Sequence, residues 1–257
     1  MPKVYRFFLL IVAVCLGPTA VWADVVVTTQ LGLAQLQINP NTGTLMILPP
    51  VTASTFAQAL DSNGDFSQSD DNPANAATAF ANGSGAASVS DLTGSVSANI
   101  NLPDGFDGFA SSAGDAVLFG VFEISGTGST DPVNVTFNAS LSINQFLQTI
   151  DFGQFASSET IFTLLLPDLS PDPVLFFDNP LTIGANDLLS YSDSPTLTTS
   201  MFLQPDTPYT FVASLDAESS GVNVTPEPSS LGLALTLLGL MAVLGRLTKK
   251  SCPDKRG

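Results

Sequence analysis

Between Asp24 and Pro228 the chain contains no lysine, arginine, histidine or cysteine. All seven basic residues and both cysteines lie outside this stretch, whereas all but one of the 23 acidic residues lie inside it. Disulfides, cysteine or histidine nucleophiles, Schiff-base lysines and histidine-based zinc sites are therefore excluded there. Nucleic-acid binding is excluded as well, because no cation is present to neutralise phosphates.

Large aromatic side chains other than phenylalanine are also scarce. The single tryptophan, Trp22, precedes the acidic stretch, which holds only two tyrosines, Tyr191 and Tyr209. Carboxylate chemistry remains open, since a glycosidase needs only a pair of acids. Such enzymes usually offer aromatic platforms to sugar rings, and the phenylalanines alternate with polar residues as core positions do. We therefore expect a protein that is not an enzyme, with a carboxylate-type glycoside hydrolase as the third-ranked alternative.

Alternation of apolar and polar residues predicts an all-β fold. The segment 133–141, VNVTFNASL, alternates without a break, as a half-buried antiparallel strand does. Turn signals rich in Gly, Pro, Asn and Asp separate such segments. Other candidate strands are 25–38, 45–51, 115–124, 160–166, 174–177, 196–203 and 209–215. We predict an antiparallel β-sandwich or jelly roll, flanked by an N-terminal signal helix and a C-terminal transmembrane helix.

Domain organisation follows from composition. The sequence predicts a signal peptide over 1–23, an acidic β-rich domain over 24–222 and a terminal tail over 223–257. Residues 61–85 are rich in Asp, Asn, Ser, Ala and Gly, which predicts a loop or linker. Residues 217–223 are small and polar, which predicts an exposed tether before the tail. Short helical turns are considered at 54–60 and 75–81.

One acidic segment resembles a calcium-binding loop. Asp61, Asn63 and Asp65 place oxygen ligands at the first, third and fifth positions, as in EF-hand and dockerin loops, and Asp70 and Asp71 follow. The sixth position is Phe instead of Gly, and the twelfth is Asn. Calcium is the one cofactor that the sequence suggests, with a solvated acidic loop as the alternative. Other cofactors are not expected.

The N-terminus has the features of a secretory signal peptide. Lys3 and Arg6 precede an apolar run, and small residues lead to Ala23. Cleavage is expected between Ala23 and Asp24. Export by the Sec machinery follows, with an uncleaved membrane helix as the alternative.

The C-terminus combines three features. Pro226, Glu227 and Pro228 prevent a helix from running through this point. Residues 229–245 form an uncharged apolar segment that spans roughly 26 Å as a helix, slightly less than a ~30 Å hydrocarbon core. Basic residues follow, where the helix dipole and the positive-inside rule favour cations. These topology anchors are Arg246, Lys249 and Lys250.

This order of Pro-Glu-Pro, apolar helix and basic end resembles the PEP-CTERM sorting signal, a tail also called the ice-binding protein C-terminal domain. The resemblance covers about the last tenth of the chain. It implies recognition and cleavage by exosortase, transient anchoring in the inner membrane and final delivery to the cell surface or medium of a Gram-negative bacterium. It also implies an association with exopolysaccharide or biofilm.

Taken together, the patterns favour a non-catalytic secreted surface or matrix protein sorted through its tail. The first alternative is a calcium-dependent glycan-binding β-sandwich module. Ice binding is ranked below it, because Thr196–Thr199 and Thr28–Thr29 do not form a regular repeat.

Overall fold

The computed structural model of the protein describes residues 25–103, 107–150 and 153–224, and these residues form fourteen strands and no helix. The all-β prediction is confirmed. The signal peptide, the Ala23–Asp24 cleavage site, the Pro-Glu-Pro motif, the apolar segment 229–245 and the anchors Arg246, Lys249 and Lys250 lie outside the described residues. The described part contains no helix long and apolar enough to cross a membrane.

In chain order the strands are β1 Val25–Pro40, β2 Thr44–Asp61, β3 Phe66–Ser69, β4 Ala74–Ala77, β5 Ala81–Ser88, β6 Thr93–Leu102, β7 Gly108–Ser125, β8 Val133–Gln148, β9 Gln154–Leu165, β10 Leu175–Asp178, β11 Leu181–Ile183, β12 Leu188–Asp193, β13 Thr196–Leu203 and β14 Tyr209–Asn223. The strands pair antiparallel in two seven-stranded sheets. Sheet one has the order β12-β8-β1-β6-β5-β4, with β13 also on β8, and sheet two has the order β10-β9-β14-β7-β2-β3, with β11 also on β9.

The two sheets pack face to face around a shared core, which makes the fold a β-sandwich. Along β8 and β14 buried residues alternate with partly exposed ones, so each strand turns every second side chain inward. One cluster of the core holds the largest buried side chains, including Phe122, Phe137, Phe162 and Phe211. Phe122 contacts Phe137 edge to face, with ring centroids 6.0 Å apart.

The second core cluster is built largely from small residues, and the sheets approach each other closely there. Ala57, Ala59, Ala74, Ala76 and Ala81 are all buried in it.

Glycine is required on the inner faces beside this cluster. A Cβ at Gly83 would lie 2.0 Å from the Ala113 carbonyl oxygen, and one at Gly114 would lie 2.1 Å from the Ser84 carbonyl oxygen. No side chain fits between these backbones, so the sandwich narrows toward β5 and β7.

This narrow region explains why the predicted linker over 61–85 was wrong. The segment contains β3, β4 and most of β5. Gly and Ala serve there as inner-face residues where two sheets nearly touch, although the same composition is typical of loops. The helical turns considered at 54–60 and 75–81 were also wrong, because residues 54–60 belong to β2 and residues 75–81 form the end of β4, a short turn and the start of β5.

The predicted tether over 217–223 was also wrong. These residues form the end of β14, which pairs with β7 on one side and β9 on the other. Ala217, Ser219 and Asn223 are buried, and a Cβ at Gly221 would lie 3.0 Å from Val25 Cγ1. Small residues are needed for packing against sheet one, so their presence does not indicate exposure.

Candidate functional site

Three of the five predicted calcium ligands, Asp61, Asn63 and Asp65, lie at the turn between β2 and β3. Asp61 is the last residue of β2 and is only 1% exposed. Its Oδ1 accepts a hydrogen bond from the Asn63 backbone N–H at 2.9 Å, and its own N–H donates to the Asp65 carbonyl at 3.1 Å. The Asp61 Oδ2 atom is buried and has no hydrogen-bond partner among the described residues.

The five predicted ligands are not brought together. Residues 66–69 form β3, which pairs with residues 57–60 of β2, and a four-residue strand is about 13 Å long. Asp61, Asn63 and Asp65 lie at one end of this strand, whereas Asp70 and Asp71 follow its other end. Calcium needs six to eight oxygen ligands, so these residues do not fit one calcium loop.

Across the described ranges as a whole, no cluster of three or more Asp, Glu, His or Cys side chains could hold a metal ion. Calcium binding by the protein stays a prediction without a site.

Four carboxylates that the sequence did not connect form a ladder on the outer face of sheet two. Asp115 of β7 lies opposite Asp216 of β14, and Glu218 of β14 lies opposite Glu159 of β9. We call Asp115, Asp216, Glu218 and Glu159 the acidic ladder. Because side chains alternate along each strand, all four point away from the core.

The acidic ladder holds a proton near neutral pH. Burial, a hydrogen bond with the Asp115 carboxyl and the charges of Asp115 and Glu218 together raise the pKa of Asp216 to about 7. Burial also raises the pKa of Glu159, and the neighbouring carboxylates of Asp178 and Glu218 add to the effect. No cationic side chain exists in this part of the chain to offset the repulsion among the carboxylates. Protonation of one carboxylate therefore reduces the repulsion.

A groove of about 450 Å³ lies beside the acidic ladder. Glu159 and Glu218 line it together with hydroxyl groups and Gln58. Within the groove the hydroxyls of Ser157 and Ser220 lie 2.6 Å apart across β9 and β14. The groove therefore presents anionic and hydroxyl groups to any ligand.

Exposed phenylalanines accompany the acidic ladder on the same sheet. Phe109, Phe119, Phe155 and Phe176 are between 42% and 57% exposed. The alternation of phenylalanines with polar residues predicts core positions, which is wrong for these four. Alternation shows which residues share a face, but it does not show which face is covered by the second sheet.

Sheet one has a different outer face, which we call the neutral face. Its outward side chains are mostly Asn, Gln, Ser and Thr, together with a few apolar residues such as Leu188 and Phe202. The only charged residue in any of the seven strands of sheet one is Asp193, the last residue of β12. Outward residues of the neutral face include Thr28, Gln30, Gly32, Ser84, Ser95, Ser97, Asn134, Thr136, Asn138, Ser142, Asn144, Thr198, Ser200 and Phe202.

A buried polar seam crosses the core between the two apolar clusters. It consists of Thr29, Gln145, Ser158 and Ser219, which are at most 3% exposed. The Thr29 hydroxyl lies 2.6 Å from the hydroxyls of Ser158 and of Ser219, and Gln145 Nε2 donates to Ser158 Oγ at 2.9 Å. The polar seam thus ties sheet one to sheet two by hydrogen bonds in a site that water does not reach.

Comparisons with protein-family models, with curated proteins and with solved structures found no match. The function must therefore be argued from the residues and their arrangement.

Proposed function

We propose that this chain is a non-catalytic protein of the bacterial surface or extracellular matrix, exported by the Sec machinery and sorted through its PEP-CTERM-like tail. The observation that carries the proposal is the tail itself, with Pro226, Glu227 and Pro228 followed by an apolar segment and a basic end. In this proposal the N-terminal signal helix and the C-terminal transmembrane helix flank the β-sandwich. Exosortase removes the second helix after transient insertion in the inner membrane.

The end of β14 supports this organisation. Asn223 is still buried and paired with both neighbouring strands, and Pro226 follows within three residues. The whole sandwich is therefore retained if the chain is cut at or after the Pro-Glu-Pro motif. The released product carries the acidic residues and none of the basic ones.

A non-catalytic role is supported by the chemistry available in the body. Residues 24–228 offer no histidine, cysteine or lysine, so nucleophilic mechanisms that depend on histidine or cysteine and Schiff-base mechanisms have no residues to use. The strong negative charge favours solubility and disfavours contact with nucleic acid. Exopolysaccharide is the partner that the PEP-CTERM resemblance suggests.

Mass spectrometry of the protein recovered from its producing cells tests the route. We expect an N-terminus at Asp24 and a C-terminus within or near residues 225–230. Replacing Pro226, Glu227 and Pro228 by alanine should leave the tail attached, whereas the control Ser251→Ala should be processed normally. Recovery of surface protein ending at Gly257 would contradict the proposal.

A carboxylate hydrolase is the second candidate, favoured by one observation. Asp216 has a pKa raised to about 7 and lies beside ionisable carboxyls, so it could act as a general acid. Release of reducing sugar from a polysaccharide panel, abolished in both Asp216→Asn and Glu218→Gln, would favour this candidate. No release by the wild-type protein would remove it.

A further inference from the structure

The neutral face stands out because the rest of the molecule is strongly acidic. Sheet two carries acidic residues on β2, β7, β9, β10 and β14, whereas sheet one carries only Asp193 at the rim of its face. An ordinary solvated β-sheet surface mixes charges of both signs with neutral polar groups. Here the outward positions carry mostly amides, hydroxyls and small residues, with Leu188 and Phe202 as exposed apolar exceptions.

Many of these groups are held in place by their neighbours. The Thr198 hydroxyl donates to Asn138 Oδ1 at 2.8 Å, and the hydroxyls of Thr136 and Ser200 lie 2.9 Å apart. Farther across the sheet, the hydroxyls of Ser84 and Ser97 lie 2.8 Å apart. Because hydrogen-bonded side chains have already lost rotamer freedom, a ligand that binds them has less ordering entropy to overcome.

A shallow depression of about 550 Å³ lies on the neutral face, and its lining includes the carboxylate of Asp193 as well as amides and hydroxyls. Gly32 forms its floor, and the Ser142 hydroxyl occupies space that a side chain at Gly32 would need, since a Cβ there would lie 2.6 Å from Ser142 Oγ. Ser95 lies on the opposite side of Gly32. The floor is therefore lined by hydroxyls on both sides.

Two amides border the depression with free hydrogen-bonding capacity. Among the described residues, the side chains of Gln30 and Asn144 make no hydrogen bond, and they lie opposite each other on β1 and β8. Each amide offers two donors and an acceptor. An apolar surface lies farther along β13, where Phe202 is 73% exposed opposite Asn134.

We propose that the neutral face binds an uncharged polysaccharide, laid across the Gly32 depression beside the adjacent Gln30 and Asn144 amides. Amides and hydroxyls match the hydroxyl groups of a sugar, and an exposed ring such as Phe202 suits the apolar face of a sugar ring. The ligand is uncharged because an anionic chain would be repelled by the molecule as a whole, and no side chain here could pair with its charges. This proposal deepens the proposed function, on which it rests, by naming a ligand class.

Affinity electrophoresis tests the proposal with the protein purified from its producing cells. The probes are hydroxyethyl cellulose, galactomannan, laminarin and dextran as neutral polymers, with alginate as the anionic one. We expect retardation by at least one neutral polymer and none by alginate. The double variant Gln30→Ala/Asn144→Ala should bind roughly tenfold more weakly, since two hydrogen-bonding side chains are lost.

The matched control is Gln58→Ala/Ser111→Ala, which truncates an amide and a hydroxyl beside the groove of sheet two. It should bind like the wild type, and all three proteins should melt at similar temperatures. Retardation by none of the neutral polymers, or equal retardation of the two double variants, would overturn the proposal.

The same samples test two other occupants of the neutral face, a second copy of the chain and ice. A concentration-dependent dimer that Gln30→Ala/Asn144→Ala dissociates would assign the neutral face to a second copy of the chain. Shaping of ice crystals that this variant abolishes would assign it to ice, and either result overturns the polysaccharide proposal. If a protein sample whose C-terminus is Gly257 is retarded by a neutral polymer, the sorting route is rejected and the ligand proposal stands.

Discussion

The two outer faces of this sandwich are built on the same alternation and carry opposite chemistry. Sheet two places Asp115, Asp216, Glu218 and Glu159 side by side, with exposed phenylalanines around them. Sheet one presents amides and hydroxyls and a single rim carboxylate, Asp193. The fold does not require this asymmetry, because the inner faces alone determine how the sheets pack. It therefore points to different surroundings for the two faces.

The two outer faces also differ in electrostatic energy. Repulsion within the acidic ladder is relieved by proton uptake at Asp216, so sheet two responds to pH and ionic strength. The neutral face has no comparable group. Two substitutions perturb the contacts that both sheets share, and changes of pH and salt perturb the outer face of sheet two.

The largest effect is expected at the close approach of the sheets. Gly114→Val should destabilise the protein by at least ~3 kcal/mol or prevent folding, because its Cβ would lie 2.1 Å from the Ser84 carbonyl and the backbones would have to separate. Urea denaturation measures the change. Gly184→Ala is the control, since nothing lies within 4 Å of its Cβ position. Equal stability of the two variants would contradict the narrow sandwich.

The polar seam should give the next largest effect. Thr29→Val removes the hydroxyl that joins Ser158 to Ser219 and should lower the free energy of unfolding by about 1–3 kcal/mol. Thr28→Val changes the adjacent residue on the neutral face and should stay within about 0.5 kcal/mol of the wild type. If both variants lose the same stability, the hydrogen bonds of the seam do not stabilise the fold.

The acidic ladder should make stability depend on pH. Because folding raises the pKa of Asp216 to about 7 from its ordinary 3.8, the folded state holds an extra proton between these values. The stability that Asp216 contributes is therefore fully present below about pH 4, falls as the pH rises and is lost above about pH 7. After allowance for partial solvent exposure, the loss should be about 1 kcal/mol.

Asp216→Asn tests this dependence, since it keeps the shape of the side chain and removes its titration. Urea midpoints at pH 5 and pH 8 should differ less in this variant than in the wild type. Asn144→Ala, on the neutral face, should leave the difference unchanged. An unaltered pH dependence in Asp216→Asn would show that the ladder is not its source.

Salt should have the smallest effect. Raising the ionic strength from about 0.01 M to 0.15 M shortens the screening length from about 30 Å to about 8 Å and weakens the repulsion among carboxylates. The melting temperature of the wild type should rise by a few degrees, and that of Glu159→Gln/Glu218→Gln should rise less. Removal of calcium by a chelator should lower the melting temperature of the wild type if the predicted calcium binding occurs. A salt response that the double variant retains in full would place the repulsion elsewhere.

The strands could be predicted where apolar and polar residues alternate over a long stretch. Residues 196–203 were predicted with the bounds that β13 has, and 133–141 lies within β8. Prediction failed at 61–85 and 217–223, where inner positions are Gly, Ala or Ser. Those residues are small because a second sheet lies against them. Local sequence alone does not distinguish them from the small residues of a loop.

The candidate sites were less predictable than the fold for a related reason. Asp115 and Asp216 become neighbours only through the register of β7 and β14. The local spacing of Asp61, Asn63 and Asp65 suggested a metal loop, but pairing of β3 with β2 separates them from Asp70 and Asp71. Composition did identify the absence of cations that could offset the burial and the neighbouring carboxylates, which raise the pKa of Asp216.

The position of β14 also governs when the protein can fold. It follows every other described strand in the chain, yet it is the strand through which β7 and β9 are joined in sheet two. As the chain emerges N-terminus first, β1, β6 and β8 can pair early, whereas the β2–β7 and β9–β10 halves of sheet two can join only after β14 has emerged. The late closure exposes the long edges of β7 and β9 until that moment. The sandwich can therefore be completed only after its last strand, β14, has emerged.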